Sequence, residues 1–202
     1  MNQEPFEIIG APFTLYLAPI GTAFPLIDAV PDSGDWTLVG TNGTRNYSDD
    51  GVTVTHSQKI DQARPGGTTG PVKAWRSEED FMLALTLWDL TLEQYQYALN
   101  GVAPATTAAA SGTAGFKKVG LSRGVEIVQY AALFRGDSPY AAGMNAQYEV
   151  PRCYQSANPK TAFKKGVPAG LDLEFTALED LDATSDAERF GRFIAQHQAP
   201  LA

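Results

Sequence analysis

Apolar and polar positions along this chain alternate more often than they recur at helical spacing, and the alternation marks a series of strands. Over residues 13–18, Phe13, Leu15 and Leu17 alternate with Thr14 and Tyr16 before Pro19-Ile20-Gly21 breaks the run. Residues 36–39 form a second short strand, set between Pro31-Asp32-Ser33-Gly34 and the turn Thr41-Asn42-Gly43. Val52, Val54 and His56 then alternate with Thr53, Thr55 and Ser57, a β-branched run with little helical character. The next strand covers 72–77. Between the two, residues 58–71 carry Lys59, Asp61, Arg64 and the flexible Pro65-Gly66-Gly67-Thr68-Thr69-Gly70. Two strands around a charged, glycine-tipped connection predict a long protruding hairpin over 47–77.

Residues 80–90 are apolar on both alternations, with Phe81, Leu83, Leu85 and Leu87 on one face and Met82, Ala84, Trp88 and Leu90 on the other. Such a strand calls for cover on both sides, from its own domain or from a neighbouring subunit. Thr91-Leu92-Glu93-Gln94 matches a capping box. It predicts a helix with Leu92, Tyr95 and Leu99 on its apolar face and Asn100-Gly101 as its stop. Residues 102–115 mix six alanines with Pro104, three threonines, Ser111 and two glycines, which reads as a surface loop or insertion. Residues 125–134 are again apolar on both faces. Residues 145–154 form a strand in which Pro151 demands an edge or a bulge. Leu171, Leu173 and Phe175 alternate with Asp172, Glu174 and Thr176, the cleanest strand buried on one side.

In the last segment, 185–197, Ser185-Asp186-Ala187-Glu188 resembles a capping box, and Phe190, Phe193, Ile194 and His197 fall at helical spacing. Gly191 weighs against a helix there, so strand stays open as well. The pattern therefore predicts a mainly β protein of at least seven strands with one or two α-helices and no internal repeat. Residues 13–202 form a single domain, preceded by an apolar arm over 1–12 whose Phe6, Ile8 and Ile9 dock on something.

A length of 202 residues suits one domain with long loops, and 44% hydrophobic against 19% charged residues is globular composition. Gly 19 and Pro 13 together point to a turn-rich fold. Lys and Arg total 15 against 23 Asp and Glu, a net charge of -8, which disfavours attachment to nucleic-acid phosphates or anionic lipid. The single cysteine, Cys153, forms no internal disulfide, and Met1-Asn2-Gln3-Glu4 lacks the basic start of a signal peptide. No run approaches membrane-spanning length. Folding in a reducing cytoplasm is the expectation, and the patterns at Asn42 and Asn46 that match glycosylation acceptors read as turn chemistry.

Candidate chemistry is sparse. His56 and His197 lie far apart and Cys153 has no partner cysteine, so no zinc spacing exists. Gly66-Gly67-Thr68-Thr69-Gly70 lacks the Gly-Lys-Ser/Thr of a phosphate loop and reads as a loop tip. Asp49-Asp50-Gly51 lacks the spaced donors of an EF-hand and reads as a turn. No nucleophile elbow is present, and Glu78-Glu79-Asp80 fits a solvated strand entry better than a glycosidase acid pair. These readings lead to a structural or binding protein with no catalytic residue, metal or cofactor.

Several segments, in this order, resemble the major tail tube proteins of long-tailed, non-contractile bacteriophages. They are Leu15-Tyr16-Leu17-Ala18-Pro19-Ile20-Gly21-Thr22-Ala23-Phe24-Pro25, Asp49-Asp50-Gly51-Val52-Thr53-Val54, the block 77–101, and the run from Ala169 through Asp180. The resemblance is diffuse and covers most of the chain. It implies a β-sandwich or half-barrel with flanking helices and a long protruding hairpin, assembled as homohexameric rings whose inner sheets join into one barrel. Rings would stack head to tail into a tube in the virion tail, built in the bacterial host cytoplasm, and the genome would pass through it into the host cell. Partners implied are further copies of the chain, a tape measure protein, a tail terminator, and DNA only as passing cargo, with no membrane. On this basis Asp49, Asp50, His56, Lys59, Asp61 and Arg64 are candidates for contacts between rings. Glu126, Asp172 and Glu174 are candidates for the lumen, where an acidic surface lets DNA slide. Phe6, Ile8 and Ile9 are candidates for arm contacts. Residues 102–115 do not fit the family pattern, and no further C-terminal surface domain of the kind some relatives carry is expected.

Two other readings follow from the residues. One is a β-sandwich module of a phage particle that binds carbohydrate or protein, with Trp36, Trp75 and Trp88 available to stack on sugars, although core tryptophans are commoner. The other is an enzyme using Glu78, Glu79 or Asp80.

Overall fold

Alternation along 13–18 and 171–176 becomes, in a computed structural model that describes residues 8–10, 13–31, 34–40 and 47–197, the frame of one antiparallel sheet. Its strands are β1 (Thr14–Pro19), β2 (Thr37–Leu38), β3 (Tyr47–Ala63), β4 (Lys73–Leu87), β7 (Gln129–Asp137), β8 (Asn145–Gln155), β9 (Leu171–Ala177) and β10 (Arg192–Ala195). A helix, α1 (Leu92–Ala98), and a small separate hairpin, β5 (Ala105–Thr107) with β6 (Phe116–Lys118), complete the elements. The protein is mainly β, and the order across the eight-stranded sheet is β2-β1-β7-β8-β9-β4-β3, with β10 added to β8.

The sheet curls until its two ends share one core. Leu15 and Leu17 of β1 belong to the same buried cluster as Leu83, Leu85 and Leu87 of β4 and Leu171, Leu173 and Phe175 of β9. Among the described residues no ladder joins β2 to β3, so the curl is an open half-barrel. The Tyr47 hydroxyl bridges the gap: it accepts from the Leu15 N–H at 3.0 Å and donates to the Val39 carbonyl at 2.8 Å.

Pro151 sits at a bulge, as its missing N–H requires. The β7–β8 register shifts there, and the far edge of β8 changes partner, pairing with β10 over 146–149 and with β9 over 153–155.

The doubly apolar character of residues 125–134 is met within the chain only from Gln129 on, since Val125, Ile127 and Val128 are exposed. The strand starts only at Gln129, and Ala131 and Leu133 on its second face are buried by Trp36 and Phe24 from the segment that follows β1. That segment is clamped by polar groups. Trp36 Nε1 donates to the Ala23 carbonyl, Arg135 donates to the Leu26 and Ala29 carbonyls, and Gln147 donates to the Pro25 carbonyl. Gln147 also bonds Arg135 and Glu149, and buried Glu149 accepts from Arg192 of β10 at 2.6 Å, which raises the Arg192 pKa. A second subunit is therefore not needed to cover β7.

Several local expectations are corrected. Residues 72–77 and 80–90 are not two strands: they merge into the single strand β4. Residues 58–63 belong to strand β3 rather than to a loop, so the hairpin runs from Tyr47 to Leu87 and only its tip, 64–72, is irregular. Thr91 is the N-cap of α1 but makes no side-chain cap bond; the Asp89 carboxylate accepts from the Thr91 N–H at 3.0 Å instead. The buried face of α1 is Gln94, Tyr97 and Ala98, with Leu92 and Tyr95 only half-buried. Gln94 turns inward because its side-chain oxygen accepts the Gly40 N–H at 3.0 Å. Asn100 and Gly101, at φ 59° and 74°, end the helix as expected. Residues 102–115 are not a plain loop, since they contain β5 and lead into an exposed hairpin with β6. The last segment is a 3₁₀ turn, Asp186–Glu188, followed by β10, so no second α-helix forms there. Gly191 decides this: its φ is 117°, and a Cβ would lie 2.1 Å from the Glu149 carbonyl oxygen.

Candidate functional site

The β3–β4 hairpin leaves the body of the protein at Phe81. β9 pairs with β4 only from Met82 to Leu87, so beyond that point, among the described residues, β3 and β4 have only each other. Residues 73–80 are all exposed, and 57–63 are exposed or half-buried. At about 3.3 Å per residue the seven residues 57–63 alone extend for ~20 Å. The ribbon is laced by polar pairs: Lys59 to Glu78 at 2.6 Å, Arg76 to Glu79 at 3.0 Å, Arg76 to Gln58 at 3.0 Å and Ser57 to Asp80 at 3.4 Å. Exposed ion pairs of this kind contribute at most about 1 kcal/mol each. It also carries exposed Ile60, Val72 and Trp75, and a two-stranded ribbon showing apolar groups to water is marginal on its own.

Of the residues proposed for contacts between rings, His56, Lys59, Asp61 and Arg64 all fall on this ribbon, with Arg64 at the tip bonded to Gln62. His56 packs its ring 4.7 Å from that of Phe81 at the ribbon's root. Asp49 and Asp50 lie elsewhere. They occupy an exposed bulge at the other end of β3, between the Tyr47–Leu87 and Val52–Leu85 pairs, where Gly51 takes φ 64°. That bulge borders an open groove of about 780 Å³ lined by Ile9, Phe13, Val52, Tyr148 and Phe193. Ile9 of the arm is therefore at the groove and Ile8 beside it is exposed, while Phe6 lies outside the described residues.

Of the residues proposed for the lumen, Asp172 and Glu174 share the outer face of β9, opposite Thr86 and Ala84 of β4. Asp172 accepts from the Thr86 hydroxyl at 2.9 Å and Glu174 from the Ser156 hydroxyl at 2.8 Å. Glu126 does not join them. It sits in the exposed segment before β7, where its carbonyl accepts from the Asn100 side chain at 2.6 Å.

Trp36 is buried, at 5% exposure, whereas Trp75 and Trp88 are 47% and 40% exposed and so are not the core residues expected. Glu78, Glu79 and Asp80 stand on the open ribbon, each tied to a neighbour on the hairpin. Cys153 is fully buried, its thiol donating to the Tyr130 carbonyl, and burial pushes its pKa up to about 12. Among the described residues no group of three or more His, Cys, Asp or Glu is placed to hold a metal ion. The groove is the feature sequence reading missed, because Phe13, Val52, Tyr148 and Phe193 come together only through the curl of the sheet. No protein-family model matches the chain, and no curated protein matches it.

Proposed function

We propose that this chain is a self-assembling structural protein of a virus particle. Within that class it is the tail tube subunit of a long-tailed phage, forming homohexameric rings that stack into a conduit for DNA. The observation that carries the reading is the ribbon of residues 57–80: a paired hairpin, exposed on both faces, carrying Ile60 and Trp75 and supported by no third strand among the described residues. A segment of this kind gains its stability from a neighbour, and a contact made by a projection on a different surface of the next copy is heterologous. Heterologous contacts give rings where the rotation closes and filaments where it does not, and a tube of stacked rings needs both. The outer face of β9, with Asp172 and Glu174, supports an acidic lumen surface along which DNA slides. The resemblance to tail tube proteins adds a tape measure protein and a tail terminator as expected partners.

Light scattering over a wide concentration range, followed by negative-stain microscopy, tests this. Rings or tubes are the expected result, and a strictly monomeric species at high concentration overturns it. The second reading, a module of a phage particle that binds carbohydrate or protein, is favoured by the half-exposed Trp75 and Trp88. It requires a small defined species whose tryptophan fluorescence responds to added oligosaccharide or partner protein.

A further inference from the structure

The two ends of the β3–β4 ladder carry opposite charge. Over residues 57–80 the cations Lys59, Arg64, Lys73 and Arg76 are balanced by Asp61, Glu78, Glu79 and Asp80, but the outer part, 61–73, holds Arg64 and Lys73 against Asp61 alone, a net of +1 in a protein whose total is -8. Lys59 and Arg76 are engaged by Glu78 and Glu79, which leaves Arg64 and Lys73 flanking the tip turn as its outermost cations. At the far end of the same ladder, the bulge that starts after Tyr47 presents Asp49 and Asp50, both exposed, with no cation in 47–54. The apolar content matches as well. The ribbon exposes Ile60, Val72 and Trp75, and the acidic bulge borders the groove lined by Phe13, Val52, Tyr148 and Phe193. A volume of about 780 Å³ is room enough for several side chains of a neighbour.

Because β3 is continuous from Tyr47 to Ala63, donor and acceptor point away from each other within one molecule and cannot meet there. They can meet between copies. We propose that the ribbon tip of one copy docks on the Asp49–Asp50 groove of the next. Arg64 and Lys73 face the two carboxylates, and the exposed apolar side chains of the ribbon cover the groove floor. This docking rests on the assembly reading above and specifies which surfaces of successive copies pair.

The test uses charge exchange in the full chain. Four proteins are compared at one concentration: wild type, D49K/D50K, R64E/K73E, and the chain with all four changes. Each double variant is expected to keep its circular dichroism spectrum and melting temperature while forming at least tenfold less polymer by light scattering. The fourfold variant, with both charges exchanged, is expected to return to within about threefold of wild type. The docking is overturned if folded D49K/D50K polymerises like wild type, or if the folded fourfold variant is as defective as the doubles. Wild type that polymerises beside an indifferent D49K/D50K removes only the docking; wild type that never polymerises removes the assembly reading and the docking with it. A second measurement serves if charge reversal disturbs folding. The Ser48→Cys/Thr68→Cys protein, polymerised and treated with copper phenanthroline, should give a ladder of cross-linked copies on a non-reducing gel, with buried Cys153 taking no part. Polymer that yields no ladder overturns the docking.

Discussion

The hydroxyl of Tyr47 bridges the two ends of the open half-barrel, and Tyr47→Phe tests that bridge directly. The ring stays in the core while one oxygen is removed, so packing is nearly unchanged. Two buried backbone groups lose a partner: the Leu15 N–H, bonded at 3.0 Å, and the Val39 carbonyl, bonded at 2.8 Å. Leaving a buried donor or acceptor unsatisfied costs about 1–3 kcal/mol. Val39 and Leu15 are also fixed by the Val39 N–H to Leu15 carbonyl bond at 2.9 Å, so the strands have little freedom to move apart and find water. The expected loss is about 3 kcal/mol. For a chain of this length each kcal/mol lowers Tm by roughly 2–4 °C, so the variant should melt ~6–12 °C below wild type. Scanning calorimetry and urea unfolding both read this, with Tyr140→Phe, an exposed tyrosine, as the control expected to stay within about 0.5 kcal/mol. A Tyr47→Phe protein that melts within 2 °C of wild type would refute the idea that this hydroxyl bridges the two ends of the sheet.

Replacing residues 58–79 by a tight Asn-Gly turn between Ser57 and Asp80 should leave Tm within about 3 °C, because among the described residues the ribbon has no third strand to lose. The same variant should form no tubes by microscopy, and normal tubes would remove the ribbon from assembly. Asp172→Lys with Glu174→Lys should fold normally by circular dichroism, since both lie on the outer face of β9, yet should reduce genome delivery by assembled particles; a tube structure with both residues on its outer wall would end the lumen assignment. Burial raises the Cys153 thiol and the Tyr130 phenol each to about 12, above their ordinary values of 9.0 and 10.0. The folded state therefore holds both protons more tightly than the unfolded chain. The stability this confers is complete below about pH 9 and is lost as pH rises toward 12, by ~1.4 kcal/mol per pH unit per group. Urea unfolding at pH 8, 9.5 and 10.5 should show the decline. Cys153→Ala should have a shallower slope, and an unchanged slope would exclude the thiol.

What the amino-acid order determined by itself was local and periodic. Leu171, Leu173 and Phe175 against Asp172, Glu174 and Thr176 define a strand with one buried face whatever it packs on, because side chains on a strand alternate every second residue. Pro151 had to lie at an edge or a bulge because it has no N–H to give, and Asn100-Gly101 had to end a helix because that position needs a positive φ. Residues 58–63 show the limit of such reading. Lys59, Asp61 and Gln62 carry no apolar alternation, and these residues became strand through backbone pairing with 73–79, which composition does not encode. The second face of β7 was equally illegible, since its cover comes from Phe24 and Trp36, about a hundred residues earlier, clamped by Arg135 and Gln147. The fate of 185–197 depended on a close approach between Gly191 and the Glu149 carbonyl, which turns an apparently helical spacing into a strand. Tyr47, Phe13, Tyr148 and Phe193 are ordinary aromatic residues in sequence. Only the curl of the sheet brings them to one groove and sets the acidic bulge and the basic tip at opposite ends of one ladder, because long-range contacts depend on how strands pair and not on what lies beside each residue in the chain.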